Sequence, residues 1–267
     1  LPANTIGSPF IELQSVDSTN NYARQQIHAC LALHGMVIFA HEQIAGKGQR
    51  GRTWTSEKDK NIALSLLIKP HPLSLNQQFQ LSACTAVAAH AFLMKYAIEK
   101  VKIKWPNDIY WQDRKAGGVL IESVVRSRES GVGRRQLAVG SWQSDASAWE
   151  WAIVGIGINI NQTSFPEHLP NPVSLKQITG RDHDPVKLAK ELCAVFQNYL
   201  SELTTNGAER IFGLYNQHLY KRNEKVRLKK NNRIFEALIK GVNPDGKLIT
   251  EHAIEEAFDF GEVEWIV

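Results

Sequence analysis

The most informative stretch for the fold is Gly46-Lys47-Gly48-Gln49-Arg50-Gly51-Arg52-Thr53. It fits the pattern G-x-G-x-x-G and, with Arg52 where lysine is usual, nearly fits the pattern G-x-x-x-x-G-K-[ST]. Both patterns need a helix directly after the glycines, because the helix N-terminus binds the phosphate. Here the polar residues 54–60 follow, and residues 61–69 are typical of a strand. The order strand, loop, strand therefore argues against both dinucleotide-binding and P-loop folds.

The loop still has the chemistry of an anion site. Its glycines let the backbone approach a ligand closely and present N–H groups to it. Lys47, Arg50 and Arg52 add positive charge, and arginine can bind phosphate or carboxylate through two parallel hydrogen bonds. A small polyanion such as a nucleoside triphosphate fits these properties, although a solvent-exposed hairpin tip explains the same residues equally well.

The composition excludes several classes of protein. The chain has 267 residues, of which 43% are hydrophobic and 22% charged, as in ordinary globular proteins. The longest strongly apolar stretch, residues 62–68, is interrupted by Ser65 and is too short to span a membrane as a helix. The first ten residues do not resemble a secretory signal, and a net charge of +4 does not demand nucleic acid.

The three cysteines point to the cytoplasm. Cys30, Cys84 and Cys193 are odd in number, far apart, and without the spacing of zinc ligands. Each lies in a helix-like segment, so we expect reduced thiols buried in the core of a cytoplasmic protein.

Periodicity divides the chain into a mixed α and β part and an all-β tail. Strands are predicted over 10–16, 36–40, 61–69, 101–104, 109–112, 118–125 and 151–160, with an extra strand over 136–142, and helices over 22–33, 76–99, 186–203 and near 208–220. Residues 113–117 are expected to join two strands as a turn, and residues 126–150 to form a protruding hairpin or flexible arm. Asp184-Pro185 is expected to cap the third helix.

The tail is predicted to be a small all-β module. Four short strands over 224–228, 233–242, 247–251 and 256–265 are expected, with a turn at Pro244-Asp245-Gly246. A module this small needs a neighbour for stability. We therefore predict a catalytic domain over 1–220 and a C-terminal domain over 221–267. The basic run from Lys221 to Arg233 is interpreted as the outer face of an edge strand.

A second unusual stretch is Lys104-Trp105-Pro106-Asn107-Asp108. The proline ends the strand and leaves polar side chains at its end, where functional groups often gather. Asp113-Arg114-Lys115-Ala116-Gly117-Gly118 follows shortly after. Either segment alone is explained equally well as a turn.

Together, the motifs have a specific order. Ser18-Thr19-Asn20, Gln43, the loop 46–54, Lys104–Asp108, Arg114–Gly118 and Gly155-Ile156-Gly157-Ile158-Asn159 follow one another. In this combination the chain resembles biotin–protein ligases, also called biotin–[acetyl-CoA-carboxylase] ligases, from Ser15 to the β tail. The resemblance implies an α+β fold, with a mixed β-sheet flanked by helices and a small SH3-like β-barrel after it.

The resemblance also implies an activity and a site. Such enzymes use ATP and Mg²⁺ to join the carboxylate of biotin to AMP, and then pass the biotinyl group to one lysine of a biotin carboxyl carrier domain. By resemblance, biotin is bound by Ser18, Thr19, Asn20, Gln43, Gly46, Lys47, Gly48, Gln49, Lys115 and Gly118, and ATP by Arg50, Arg52, Trp54, Asn107, Lys115 and Asn159. Lys115, Arg50 and Asp108 are the candidate catalytic residues, with Asp108 positioning the carrier lysine or a magnesium ion.

These residue types suit the chemistry. A carboxylate and an α-phosphate repel each other, and fixed cations such as Lys115 and the loop arginines offset that repulsion. A glycine loop that closes can shield the reactive adenylate from water. The nine histidines form no metal motif, so no protein-bound metal centre is expected.

Two features depart from the family pattern. Many members have arginine at the positions of Lys47 and Gln49, and the loop there helps to retain the adenylate; we expect weaker retention here. Many relatives also carry an N-terminal helix-turn-helix, for which the residues before Ser18 are too few. We therefore expect a single-function enzyme that does not regulate transcription.

Two alternatives remain at this point. A lipoate ligase or lipoyl transferase shares the fold, although the loop 46–52 and residues 104–108 favour biotin. A nucleic-acid-binding protein with an SH3-like tail is suggested by the basic run in the tail. We expect no membrane association, and a homodimer formed through the sheet is an alternative to a monomer.

Overall fold

A computed structural model describes residues 5–97, 100–126, 135–138 and 148–266. Its helices are α1 (Thr19–His28), α2 (Gln78–Met94), α3 (Leu175–Thr179), α4 (Pro185–Asn206) and α5 (Glu209–Gln217). Its strands are β1 (Phe10–Leu13), β2 (Val37–Ala40), β3 (Asn61–Ile68), β4 (Val101–Lys104), β5 (Asp108–Trp111), β6 (Arg114–Arg126), β7 (Arg135–Ala138), β8 (Ala148–Asn159), β9 (Lys225–Lys230), β10 (Arg233–Val242), β11 (Leu248–Glu251), β12 (Glu255–Phe258) and β13 (Glu264–Ile266).

The first sheet is mixed, as the resemblance implied. Its strand order is β1-β2-β3-β8-β6-β5-β4, and β7 pairs with the far end of β6. β1 and β2 run parallel, whereas β2 with β3, β3 with β8 and β8 with β6 are antiparallel. The central strands β3 and β8 are buried on both faces, which explains their near-continuous apolar sequences.

Helices cover the two faces of this sheet unequally. On one face, Ala23 and Ile27 of α1 pack against Ile38 and Ile153. On the opposite face, α2, α4 and α5 form the main core. They pack against the side chains of β3 and β8 that alternate along each strand with those facing α1. Because α1 has only ten residues, part of its face of the sheet is left for other groups.

The predicted helices differ from the observed ones in extent and burial. α1 begins at Thr19, three residues before the predicted start, and α2 ends at Met94 rather than near residue 99. The spacing in α2 indicates one apolar face, yet the helix is buried on almost every side, because it lies between the sheet and α4. Asp184 caps α4 as predicted, and its Oδ1 accepts from the N–H of Val186 at 2.9 Å. The short helix α3 was not predicted.

The cysteines confirm part of the expectation. Cys84 and Cys193 are buried in α2 and α4, and burial raises the pKa of the Cys193 thiol to about 12. Cys30 is exposed just after α1, so the prediction that it is a core thiol is wrong. The structure describes all three, and none of them forms a disulfide.

The segment 126–150 lies mostly outside the described residues. β7 pairs antiparallel with the end of β6, so part of the extra strand predicted over 136–142 is present. The remainder of the predicted arm falls in 127–134 and 139–147, which are not described.

The tail forms a second, antiparallel sheet in the order β12-β11-β10-β9-β13, a small barrel-like unit. The fourth predicted strand is in fact two, β12 and β13, separated by a turn in which Gly261 has φ +92°. The prediction that the basic run lies on an edge strand is wrong: β9 pairs with β10 on one side and β13 on the other. The division between domains at residue 220 stays a prediction.

The second sheet packs against the first, and a module of this size needs such a neighbour for stability. Trp105 Nε1 donates to the carbonyl of Gly246 at 2.9 Å, in the predicted turn, and its ring meets the edge of the Phe260 ring. Trp265 of β13 lies beside the Lys104 ammonium. Among the helices described, none is both long enough and apolar enough to cross a membrane.

Candidate active site

One row of residues crosses the first sheet on the face that α1 leaves partly open. Lys104, Asp108, Gly118, Gly157 and Ala63 stand opposite one another in successive strands from β4 to β3. Residues paired in this way share one face of a sheet. Because two glycines and an alanine occupy the middle of the row, hardly any side-chain atoms project from the sheet there. A ligand or another part of the chain can therefore lie directly on the backbone.

A bulge turns Lys115 toward this row. Asp108 pairs with Gly118, but Tyr110 pairs with Lys115, so one extra residue is inserted at Ala116. In a regular strand, residues three apart point to opposite faces, and the bulge brings Lys115 and Gly118 onto the same one. The Lys115 ammonium lies 2.6 Å from Asp108 Oδ1, directly above Gly118.

Main-chain hydrogen bonds hold Lys115 on both sides. Its N–H donates to the carbonyl of Asn171, and its carbonyl accepts from the N–H of Val173, each at 2.9 Å. Its side chain remains 28% exposed and that of Asp108 25%, so both reach the surface of the site. A cation on a rigid strand, open to a ligand, can be placed accurately for a reaction.

The Lys115 end of the row has a positive field. Lys104 is buried, and burial lowers its pKa; the carboxylate of Asp108 raises that pKa, whereas the charges of Lys115 and Arg52 lower it further. Three cations therefore surround one carboxylate here, an arrangement that favours an anionic ligand.

The glycine loop folds as a tight hairpin over the two glycines and the alanine of the row. The N–H of Gly48 donates to the carbonyl of Arg52 at 2.7 Å, and that of Trp54 to the carbonyl of Gly46 at 2.9 Å. A side chain on Gly46 would collide with the Trp54 carbonyl. The Trp54 ring lies on Gly157, where an added Cβ would be 2.6 Å from it. The hairpin and Lys115 thus meet on the same face of the sheet.

The two arginines of the hairpin influence different neighbours. Arg52 affects the pKa of Lys104, whereas Arg50 lies against the C-terminal unit. The Arg50 guanidinium donates to the carbonyl of Gly261 at 3.3 Å and sits 5.7 Å from the centre of the Phe260 ring. The predicted phosphate contact of Arg50 stays a prediction. Gln49 Oε1 is buried and has no hydrogen-bond partner among the described residues.

The other end of the open face carries a chain of polar side chains at the start of α1. Ser18 is the N-cap of the helix, and Thr19 and Asn20 form its first turn. Gln43 Oε1 accepts from the N–H of Thr19 at 2.9 Å and from its hydroxyl at 3.1 Å. The hydroxyl of Ser65 lies 2.7 Å from Thr19 Oγ1 and 2.6 Å from Asn20 Oδ1. The predicted biotin-binding residues of α1 and Gln43 are thus neighbours.

Sequence reasoning did not assign four residues of this end to the site: Arg24, Ser65, Glu122 and Gly155. Asn20 Nδ2 donates to Glu122 Oε2 at 2.9 Å, and Arg24 pairs with Glu122 Oε1 at 2.7 Å. Gly155 leaves room for Asn20, whose Oδ1 would be 2.6 Å from an added Cβ. Two of the four had a signal: Ser65 interrupts the longest apolar stretch, and Glu122 is the one charged residue of the stretch 116–125.

Two predicted nucleotide ligands donate hydrogen bonds to the backbone in this structure. Asn107 is buried, and its amide donates to the carbonyl of Val119. The amide of Asn159 donates to the carbonyl of Val173 at 3.2 Å and to that of Lys115 at 3.4 Å. In this structure both asparagines stabilise β6 around Lys115, and their role toward ATP stays a prediction.

No metal centre is built into the described part of the chain. Across residues 5–97, 100–126, 135–138 and 148–266, no three His, Cys, Asp or Glu side chains come together in a group that could hold a metal ion. A magnesium ion that accompanies a nucleotide needs only one or two carboxylates besides the phosphates. Asp108, beside Lys115, fits that requirement.

A mixed sheet with a glycine-lined open face, a basic hairpin over it and a barrel-like unit at the C-terminus defines the fold class of the biotin and lipoate ligases. Residues 12–134 match the model of the "Biotin/lipoate A/B protein ligase family". The match covers a little under half of the chain, so this part of the chain is similar to that family.

Individual relatives extend the likeness over nearly the whole chain. The bifunctional ligase/repressor BirA of Bacillus spizizenii is 27% identical over 254 residues, 94% of this chain and 72% of that protein. The biotin–[acetyl-CoA-carboxylase] ligase of Paracoccus denitrificans is 28% identical over 240 residues, 89% and 92% of the two chains.

A solved structure supports the fold independently. The biotin protein ligase of Aquifex aeolicus in complex with biotin and ATP has a TM-score of 0.76 and 22% identity, over 96% of this chain and 98% of that one. The whole architecture, including the C-terminal unit, is that of biotin protein ligases.

Proposed function

We propose that the chain is an ATP-dependent biotin–protein ligase, which forms biotinyl-5′-AMP and then transfers biotin to a lysine of a biotin carboxyl carrier domain. The observation that carries the proposal is the Lys115–Asp108 pair, placed on the same open face as the Trp54 hairpin and the polar chain at α1. Relatives named as biotin ligases support it. A cytoplasmic location fits the three cysteines, none of which forms a disulfide.

The site suits the condensation of two anions. Biotin's carboxylate would attack the α-phosphate of ATP, forming the mixed anhydride and releasing pyrophosphate. Lys115 would hold both anions through its ammonium, while Asp108 keeps that ammonium in place from the opposite side. Trp54, already lying on Gly157, offers an aromatic surface for the adenine.

Magnesium would enter with the nucleotide and offset charge on its phosphates. Asp108 is the residue that would hold it at this end of the row. In the second step, the amine of the carrier lysine would attack the acyl carbon and release AMP. The carrier must therefore approach the open face near the exposed edge of the Lys115–Asp108 pair.

The polar chain at α1 favours biotin over lipoate. Thr19 and Asn20 offer buried hydrogen-bonding groups and Gln43 a half-buried one, which suit the ureido head of biotin. The dithiolane of lipoate has no N–H or carbonyl to pair with them, and buried polar groups left unpaired reduce affinity strongly.

A nucleic-acid-binding role has less support. Several lysines of the tail are paired with acids, such as Lys240 with Glu251 at 3.0 Å and Lys247 with Asp259 at 2.9 Å. Paired cations attract phosphates less than free ones. Salt-dependent binding of RNA or DNA to the protein would support the nucleic-acid-binding role.

Calorimetry tests the proposal directly. The protein is titrated with biotin and with lipoate, each with a non-hydrolysable ATP analogue present, and biotin-dependent exchange of labelled pyrophosphate into ATP is measured in parallel. We expect tight binding and exchange with biotin only. Exchange with lipoate but not biotin would point to the lipoate alternative, and exchange with neither would overturn the proposal.

A further inference from the structure

Glu122 is the most buried acidic group next to the polar chain at α1. It is 5% exposed, and it lies on β6 four residues after Gly118, so it points to the same open face. A buried carboxylate is costly unless it is paired and hydrogen-bonded. Glu122 has both kinds of partner, and they come from different elements of the site.

Three groups converge on its two oxygens. Arg24 Nη2 lies 2.7 Å from Oε1, and Asn20 Nδ2 lies 2.9 Å from Oε2. The Lys47 ammonium of the glycine hairpin is 4.0 Å from Oε1. One carboxylate of β6 therefore connects the first two turns of α1 with the hairpin that covers the site.

The carboxylate also fixes the direction of the hydrogen bonds beyond it. An ionised carboxylate only accepts, so the Asn20 amide must turn its Nδ2 toward Glu122. Asn20 Oδ1 then faces Ser65, whose hydroxyl lies 2.6 Å away and donates to it. The same hydroxyl lies 2.7 Å from Thr19 Oγ1, whose own proton is donated to Gln43 Oε1 at 3.1 Å.

From this geometry we propose that Glu122 is a positioning residue for biotin recognition, acting through Asn20 and Lys47. The inference rests on the proposed function. Glu122 orients the amide and hydroxyl groups at the α1 end. Its fixed negative charge also attracts the ammonium of Lys47 in the hairpin. It takes no part in the reaction at the Lys115 end, so its loss should affect the binding of biotin rather than the chemical step.

The test is Glu122→Gln, which keeps the shape of the side chain but removes one acceptor and the charge. We expect the KM for biotin in pyrophosphate exchange to rise by about tenfold or more, since a buried charged group loses its partner, with kcat changed less than about threefold. Glu122→Asp, which keeps both acceptor oxygens, should recover most of the affinity. Glu251→Gln, which removes a carboxylate from an exposed ion pair with Lys240, is the matched control and should behave like the unmodified protein.

The outcomes separate this proposal from the proposed function. If the unmodified protein shows no biotin-dependent exchange, the proposed function fails first. If it is active and Glu122→Gln keeps its KM, or loses kcat instead, the positioning role is wrong. Should Glu122→Gln fail to fold by circular dichroism, Arg24→Met replaces it, because that side chain is 17% exposed; an unchanged KM for biotin there would also overturn the proposal.

Discussion

Lys115 Nζ lies 2.6 Å from Asp108 Oδ1, although the two residues belong to different strands and Lys115 would point to the other face without the bulge at Ala116. The pair shows how the chain places a cation for use. Asp108 holds the ammonium from one side, and the exposed side is free for a ligand.

Replacing the lysine tests its role most directly. Lys115→Ala should reduce biotin-dependent pyrophosphate exchange by about 10²–10³-fold or more, because one preorganised donor to the developing charge is lost. Lys176→Ala, which removes a lysine from an exposed pair with Asp182, is the control and should have no effect. Rates like those of the unmodified protein would remove Lys115 from the mechanism.

Asp108→Asn should lower kcat by about tenfold or more, because the amide no longer anchors the Lys115 ammonium. Since both residues act as one unit, the double variant with Lys115→Ala should be no slower than Lys115→Ala alone. Exchange assays on the three variants measure this. Additive losses would mean that Asp108 works independently of Lys115, for example through magnesium alone.

Gly157 limits what can lie under the Trp54 ring. In Gly157→Ala the new Cβ would be 2.6 Å from that ring, so Trp54 must move. We expect the KM for ATP to rise by about tenfold, the effect of losing an aromatic surface for one base, with a change in tryptophan fluorescence. Gly213→Ala is the control, because nothing lies within 4 Å of its new Cβ. A fluorescence change without a change in KM would show that Trp54 does not contact the nucleotide.

Much of this architecture was predictable from local sequence signals. The absence of a helix after the Gly46 loop excluded the common phosphate-binding folds, and the tail's turn signal at Gly246 was confirmed. The long apolar strand β3 was predicted to within one residue because burial on both faces leaves a clear pattern, whereas β6 and β8 begin four and three residues before their predicted starts.

The remainder depended on contacts that no local pattern contains. The bulge at Ala116 arises from pairing with β5, and β9 is internal only because β13 returns to pair with it. The contact of Arg50 with Phe260 joins residues that lie far apart in the sequence. The Glu122 network likewise depends on α1 packing over β6, which periodicity cannot specify.

The hairpin's departure from the family pattern predicts adenylate leakage. Gln49 carries no charge where many members have arginine, and its Oε1 has no hydrogen-bond partner in the described part of the chain. Gln49→Arg should lower the release of free biotinyl-AMP by about tenfold, the effect of one added charged hydrogen bond. Chromatography of quenched reactions measures the release, and Lys47→Arg, which keeps the charge, should change it less. Equal release from Gln49→Arg and the unmodified protein would show that this position does not retain the adenylate.

His90 and His218 make stability depend on pH away from the site. Their rings stack with centroids 4.0 Å apart, and burial lowers the pKa of His90 to about 4 and that of His218 as well. Below pH 6.5 the unfolded chain takes up protons that folded His90 does not, so stability falls as the pH is lowered toward 4, by up to about 1.4 kcal/mol per pH unit for His90. His90→Gln can still donate to the Val101 carbonyl but cannot titrate, so urea unfolding between pH 4.5 and 7 should show a shallower slope. The exposed His168→Gln should leave the slope unchanged, and an equal slope in His90→Gln would show that other groups cause the acid sensitivity.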